Sequence, residues 1–342
     1  MTFTVYVDER RWRTSQRKVL ADFPGLVPVT KGNGYGVGNA RLAVEAAGLG
    51  VDTIAVGTER EVSEVSAHFG GDVLVLTPVG PSTSYEDNPN VIRTVARVDL
   101  LDAVPAGARI VIECRTHLNR HGIQQTEIDG LTRIPSSVRV EGFAFHWPFD
   151  PRRVTSRRQT AAWLDLLASA GIAPKRAWVS HLFAEEVADL ARSFQNTTLR
   201  PRIGTNLWLG DRDALVARGT VLEIEPVVRG QRVGYHQHAV PSRGHLVVVS
   251  GGTAHGVALE APKSVRGLVS RAKVVAAGAL EAVGRNLSPF TWAGKQRWFL
   301  EPPHMQVSLI FIPEDVPPPA IGTELECRVR LTTTHPDRVV SV

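Results

Sequence analysis

The sequence predicts an α/β architecture: an N-terminal (β/α)8 TIM barrel followed by a C-terminal, mostly-β domain. Two observations predict it. Up to about residue 218, eight short apolar runs alternate with amphipathic segments, and eight strand–helix alternations point to a closed parallel barrel. Beyond that point the chain changes to strand-like runs with Gly and Pro between them, the texture of an antiparallel β domain.

The barrel strands are expected at 26–31, 52–57, 73–77, 91–96, 109–114, 138–145, 176–180 and 199–203. Amphipathic helices are expected over Asn39–Leu49, Glu59–His68, Thr155–Ala170 and Phe183–Phe194. The first places Leu42, Ala43, Ala46 and Ala47 on one face, the spacing of a helix packed on a sheet. The helix after the fourth strand, Val98–Val104, is short. In the second domain, strands are expected over Val221–Val228, His245–Ser250, Gln306–Ile312 and Glu324–Leu331, with one helical stretch at Ser264–Ala276. Pro313–Ala320 holds four prolines and reads as a connecting loop. The expected division is 1–218 and 219–342, with residues 1–8 as candidates to join the second domain. There is no internal repeat.

Composition excludes several classes. Hydrophobic residues at 43% and charged residues at 21% suit a soluble globular protein. No apolar run approaches the roughly 20 residues that span a bilayer, and the charged N-terminus lacks the apolar core of a signal peptide. The two cysteines, Cys114 and Cys327, sit in apolar or strand-like stretches, as expected of reduced thiols in a cytoplasmic protein. The net charge of +5 is scattered; its densest cluster, Arg152, Arg153, Arg157 and Arg158, opens a helix and reads as a solvated face rather than a nucleic-acid site. Neither a nucleic-acid partner, a membrane nor a metal is expected.

The most informative stretch is Gly25-Leu-Val-Pro-Val-Thr-Lys-Gly-Asn-Gly-Tyr-Gly36. A lysine leaving a buried strand has partly apolar walls, so its pKa falls toward neutrality. A neutral amine can form a Schiff base with a cofactor aldehyde. The glycines let backbone approach a phosphate, and the Tyr35 hydroxyl can donate to one. Lys31 therefore reads as a lysine for pyridoxal 5'-phosphate (PLP); the plain alternative is a surface lysine in a Gly-rich turn. Active sites of such barrels lie at the C-terminal strand ends. Lys31, Arg115 to Arg120, His146, Ser180, His181 and Arg202 to Thr205 all fall there. A rim of polar and cationic groups is what an anionic cofactor requires.

With those motifs in place, the chain resembles the alanine racemase family of PLP enzymes over nearly its whole length. The matches are Lys31 with Gly-Tyr-Gly, Thr116-His-Leu-Asn-Arg120-His-Gly122, Gly142-Phe-Ala-Phe-His146, Arg202-Ile-Gly204 and Val233-Gly-Tyr235. The resemblance implies that Lys31 holds PLP and acts as a base on one face of the substrate. It implies that Tyr35 donates to the phosphate, that Gly204 and Thr205 cradle it, and that Ser180 or His181 adds a donor. His146 would pack near the pyridine ring. Arg202 would face the pyridine nitrogen and, always charged, oppose its protonation. Arg120 would contact the cofactor's phenolic oxygen and the substrate carboxylate. Glu113 occupies the place of a carbamylated lysine that orients that arginine in many members. Tyr235, from the partner subunit's β domain, would be the base on the opposite face. A homodimer with shared sites and an amino-acid substrate follow from the same resemblance.

The chain departs from the family pattern at the substrate entrance. The usual Gly-Tyr-Ala-Asp-Gly is Gly251-Gly-Thr-Ala-His-Gly256, placing Gly252 where a tyrosine is usual. A Met-Asp pair becomes Met305-Gln306, leaving the Met305 N–H to meet a substrate carboxylate. The tyrosine usual near the C-terminus has no counterpart in Leu331-Thr-Thr-Thr-His335. The expectation is retained racemase chemistry with altered access, on alanine or a related, larger amino acid. The rivals are a same-fold PLP decarboxylase, opposed by Arg202 and by the absence of cysteine between 230 and 320, and a non-catalytic PLP-binding homeostasis protein, opposed by Tyr235 and the β domain.

Overall fold

The computed structural model describes every residue except 1, 84, 86, 87, 150–154 and 260–285. By contacts the chain divides into two compact units. The barrel unit holds Arg13–Gly34 and Gly38–Gly210; the β unit holds Met1–Trp12, Tyr35–Val37 and Asp211–Val342.

Strand β1 (Phe3–Val7) opens the chain and helix α1 (Glu9–Asp22) follows. The barrel strands are β2 (Val27–Pro28), β3 (Thr53–Val56), β4 (Asp72–Val75), β5 (Val91–Val95), β6 (Arg109–Cys114), β7 (Arg139–His146), β8 (Arg176–Ser180) and β9 (Thr198–Ile203). Each pairs in parallel with the next from β3 to β9. β2 pairs with β9, and a parallel bridge from Val29 to Ala55 closes the ring. The fold class expected from the alternation of strands and helices is the one observed.

Continuous apolar runs make these strands because both faces are covered. Side chains alternate between faces along a strand. One set (Val27, Ala55, Leu74, Ile92, Val111, Ala144, Trp178) forms a cluster drawn from seven of the eight strands. The other set, such as Ile110, Ile112, Phe143, Phe145 and Val179, packs with Leu164, Leu167, Val187 and Leu190 of helices α4 (Thr155–Ser169) and α5 (Ala184–Ser193), numbered after α2 (Asn39–Gly48) and α3 (Val62–Ser66). Burying a Leu or Phe side chain contributes roughly 1.5–3 kcal/mol. Two connections are 3-10 turns, Val98–Ala103 and Gln125–Arg133, in place of full helices.

A buried carboxylate ties the other end of three strands together. Glu141 accepts from Arg109 at 2.7 Å and from Arg176, and Arg139 forms an ion pair with it at 2.7 Å. Beside it Gly142 has φ +142°, and a Cβ there would lie 2.2 Å from the Arg176 carbonyl oxygen. Only glycine fits, and the pairing of β6 with β7 shifts register at this point, between Ile110 and Val111.

The β unit adds β10 (Leu215–Val227), β11 (Arg232–Val233), β12 (His238–Ala239), β13 (Gly244–Ser250), β14 (Leu287–Trp292), β15 (Lys295–Phe299), β16 (Val307–Pro313), β17 (Glu324–Cys327) and β18 (Arg338–Ser341). Its eight-stranded sheet runs β13-β16-β15-β14-β17-β10-β1-β18. β1 lies antiparallel to β10, with Phe3 opposite Gly219, and parallel to β18. β10 is 13 residues long and bulges between Val221 and Glu223, so it also pairs with β13. The small β11–β12 hairpin stands apart. The helical stretch expected at Ser264–Ala276 lies outside the described residues.

Candidate active site

The barrel unit brings Lys31, Glu113, Arg120, His146, Ser180, His181, Arg202, Gly204 and Thr205 to the C-terminal ends of its strands. Lys31 follows β2, whose next residues continue the pairing: Val29 N–H donates to the Ile203 carbonyl at 2.9 Å and Thr30 N–H to the Ala55 carbonyl at 2.7 Å. The loop beyond is pinned from two sides. Asn39 Oδ1 accepts from Thr30 Oγ1 at 2.7 Å, and its Nδ2 donates to the Gly32 carbonyl at 3.1 Å. Gly34 has φ +58°, and a Cβ there would sit 2.4 Å from the Asn39 nitrogen.

Lys31 opens to solvent at the barrel mouth, yet the protein around its amine lowers its pKa. Burial is the main cause, Arg120 and Arg202 add to it, and Glu61 opposes it. The direction is the one needed for a nucleophilic amine.

Sequence reasoning passed over Glu61. Its carboxylate accepts from the N–H groups of Gly32 (2.8 Å), Gly57 (2.6 Å) and Thr58 (3.0 Å). It thereby fastens the loop after Lys31 to the end of β3. The Thr58-x-x-Glu61 spacing is the legible signal, since a Glu three residues past a Thr caps a helical turn.

His146 and Ser180 lie in register on β7 and β8, and share a hydrogen bond of 2.8 Å between Nδ1 and Oγ. Burial, followed by the charges of Arg202 and Arg120, pushes the His146 pKa down to about 3. It is a neutral ring at physiological pH. Thr116 Oγ1 donates to its carbonyl at 2.5 Å, joining the Arg120 loop to β7. His181 follows β8 with φ +59°, and its Nδ1–H donates to the Trp147 carbonyl at 2.8 Å. The two imidazole centroids are 5.2 Å apart. Asn119, in the Arg120 loop, also has positive φ, +53°. Non-glycine residues held in that region gather at functional sites.

Arg202, on β9, is buried. Burial lowers its pKa and the Glu113 carboxylate opposes that shift; a guanidinium remains charged. Glu113 Oε2 lies 3.6 Å from Arg202 Nη1. The resemblance implies that Glu113 orients Arg120, whereas the ion pair it makes is with Arg202. Arg202 Nε and Nη2 are buried without a hydrogen-bond partner among the described residues. Buried donors left unpaired cost about 1–3 kcal/mol each, so this pair is a standing invitation to an acceptor. Gly204 and Thr205 begin a one-turn helix, α6 (Thr205–Leu209), anchored where Trp208 Nε1–H donates to the Val29 carbonyl at 2.8 Å.

The remaining candidates belong to the β unit. Tyr35 is buried with φ +54°. Tyr235 is 83% exposed and Met305 70% exposed. Tyr235 follows Gly234 (φ +72°) in the β11–β12 hairpin, and the His304 ring stands 4.6 Å from its ring centroid. Gly252 is not a vacancy left by a lost tyrosine. A Cβ there would meet the His304 and Met305 carbonyl oxygens at 2.1 and 2.6 Å, so backbone occupies the space. His255 of the same loop is structural: its Nδ1 accepts from Gly252 N–H at 3.1 Å and its Nε2 meets Asp337 at 3.2 Å. Gln306 contributes its carbonyl to Gly251 N–H at 2.9 Å.

Among the described residues no cluster of His, Cys, Asp and Glu could hold a metal ion, and no helix is long and apolar enough to cross a membrane.

A family model, "Alanine racemase, N-terminal domain", matches residues 9–184. No curated protein matches the chain by sequence. Among solved structures, alanine racemase from Bartonella henselae, with covalently bound pyridoxal phosphate, aligns with TM-score 0.75 and 15% identity over all of both chains. Alanine racemase from D-cycloserine-producing Streptomyces lavendulae aligns with TM-score 0.70 and 21% identity over 100% of this chain and 97% of that one. The Bacillus anthracis enzyme with bound L-Ala-P gives 0.71 and 19% over 99% and 87%. At these identities the likeness is one of fold.

Proposed function

The chain belongs to the alanine racemase family, and on that premise we propose that it is a PLP-dependent amino-acid racemase acting on alanine or a larger relative. The observation that carries the reading is the Lys31 amine, its pKa lowered by burial, Arg120 and Arg202.

The residues present fit PLP. The unpaired buried donors of Arg202 suit an acceptor nitrogen that is not to be protonated. The first N–H groups of α6, at Gly204 and Thr205, have no partner within so short a helix and suit phosphate oxygens, with Ser180, His181 and Tyr35 as further donors. Neutral His146 offers a flat ring without competing charge. When bound, PLP supplies the electron sink that acidifies the substrate's α-proton.

The chain's own groups do the rest. Arg120 binds the substrate carboxylate, with the Met305 N–H as a second donor. Lys31 removes or returns the α-proton on one face. Inversion needs a second base on the opposite face, and Tyr235 from a partner subunit's β unit is the group available. That assigns a homodimer with shared sites. Glu113 keeps Arg202 charged and in place. The fixed cation at Arg202 disfavours decarboxylase or transaminase chemistry, both of which need a longer-lived carbanion. Lys31→Ala tests the reading: it should abolish both the near-visible absorbance that PLP gains on the protein and any racemisation. A variant that keeps either would remove Lys31 from its role.

A further inference from the structure

Tyr235 stands on a device unlike an ordinary hairpin tip. Glu301 lies just past β15 with its side chain 1% exposed, beneath an exposed turn. Its carboxylate accepts from the His236 N–H at 3.2 Å. Burial alone would raise its pKa, but hydrogen bonds from His304 and from the His236 and Tyr235 backbone N–H groups outweigh that and hold it lowered. It is therefore an anion seated under two successive N–H groups, a geometry that favours negative charge.

Gly234 makes the seat possible. A Cβ there would lie 2.0–2.2 Å from the carboxylate carbon and oxygens of Glu301. Both the positive φ and the close approach demand glycine. The other carboxylate oxygen accepts from His304 Nε2. The His304 ring then flanks Tyr235, with centroids 4.6 Å apart and planes at 49°. His304 is itself held by backbone: its N–H donates to the Val307 carbonyl and its carbonyl accepts from Thr253 N–H, each at 2.9 Å.

We propose that Glu301 and His304 are positioning residues for Tyr235: the buried carboxylate fixes the turn and the imidazole, and the imidazole fixes the phenol ring for proton transfer. An exposed tyrosine would otherwise sample several rotamers, and proton transfer requires the hydroxyl within hydrogen-bond reach of the α-carbon. This inference rests on the reading of Tyr235 as the second base.

The test compares wild type, Tyr235→Phe, His304→Ala, His304→Phe and Glu301→Gln, each as full chain with PLP, on both alanine enantiomers in D2O. Racemisation and α-proton exchange without inversion are followed together. His304→Ala and Glu301→Gln should lose racemisation about tenfold or more, while exchange of the enantiomer served by Lys31 stays within about twofold of wild type, as in Tyr235→Phe. His304→Phe, which keeps the ring but not the hydrogen bond, should fall between. Glu301→Gln should also speed amide hydrogen exchange at residues 235–236, a readout independent of turnover. Racemisation close to wild type in His304→Ala and Glu301→Gln overturns the inference, as does a proportional loss of racemisation and exchange. A wild type that neither racemises nor exchanges removes the racemase reading and this inference with it; a racemising wild type with an indifferent His304→Ala removes this inference alone.

Discussion

Glu113 and Arg202 form a buried ion pair across the barrel mouth, 3.6 Å apart with side chains 8% and 4% exposed. β6 supplies the anion and β9 the cation, so the contact depends on closure of the barrel. Removing one partner of such a pair leaves an uncompensated charge. Glu113→Gln should destabilise the protein by about 3 kcal/mol, read as a lowered denaturant midpoint with unchanged slope. Unaltered stability would show that Arg202 needs no counter-charge.

Arg120 and Arg202 both depress the Lys31 pKa. Removing a cation favours the ammonium form, so Arg120→Gln should raise that pKa. The rate at which apoprotein captures PLP follows the neutral amine, and its pH profile should move to higher pH. The pH dependence of absorbance development measures this. A profile that stays in place would leave burial and Arg202 as the causes of the depression.

His146 titrates at about 3 when folded, against an ordinary value of 6.5. Between those values the unfolded chain binds more protons than the folded one. Stability therefore falls as pH drops from about 6.5 toward about 3. His146→Asn should lose less stability over that window than wild type, read from denaturation midpoints across pH. An identical acid dependence would mean His146 is protonated more easily than its surroundings indicate.

Gly252 is confined by the His304 and Met305 carbonyls. Restoring the family's tyrosine by Gly252→Tyr should not restore ordinary family behaviour. Even Gly252→Ala should cost at least about 2 kcal/mol, because backbone rather than a flexible side chain must move. Thermal melting checks this; an undisturbed Gly252→Ala would show that the 304–305 turn yields easily.

The barrel was legible because its strands are apolar on both faces and spaced by amphipathic segments. Asn39–Leu49 and Asn39–Gly48, expected and observed, differ by one residue. Helix α1 escaped notice because Glu9–Asp22 is rich in charge and its buried face, Trp12, Gln16 and Val19, carries a polar residue at its centre. The β14–β15 hairpin escaped too; its turn, Ala293-Gly294, is set by two positive φ values rather than by an Asn-Gly or Asp-Gly signal. Motif residues at strand ends were identifiable one by one. Their partners were not: Glu113 with Arg202, and Glu301 with His304 beneath Tyr235, meet only through tertiary pairing, and no local pattern encodes that.

Two-base racemisation is read most directly from α-proton exchange in D2O. Protein with PLP is incubated with L-alanine, L-serine and larger L-amino acids while deuterium incorporation and optical rotation are followed together. Exchange accompanied by loss of rotation is expected for at least one of them, and Tyr235→Phe, offered both enantiomers of that substrate, should retain exchange on one only. Bound PLP without exchange on any substrate would contradict it and leave a protein that carries the cofactor without turning over an amino acid.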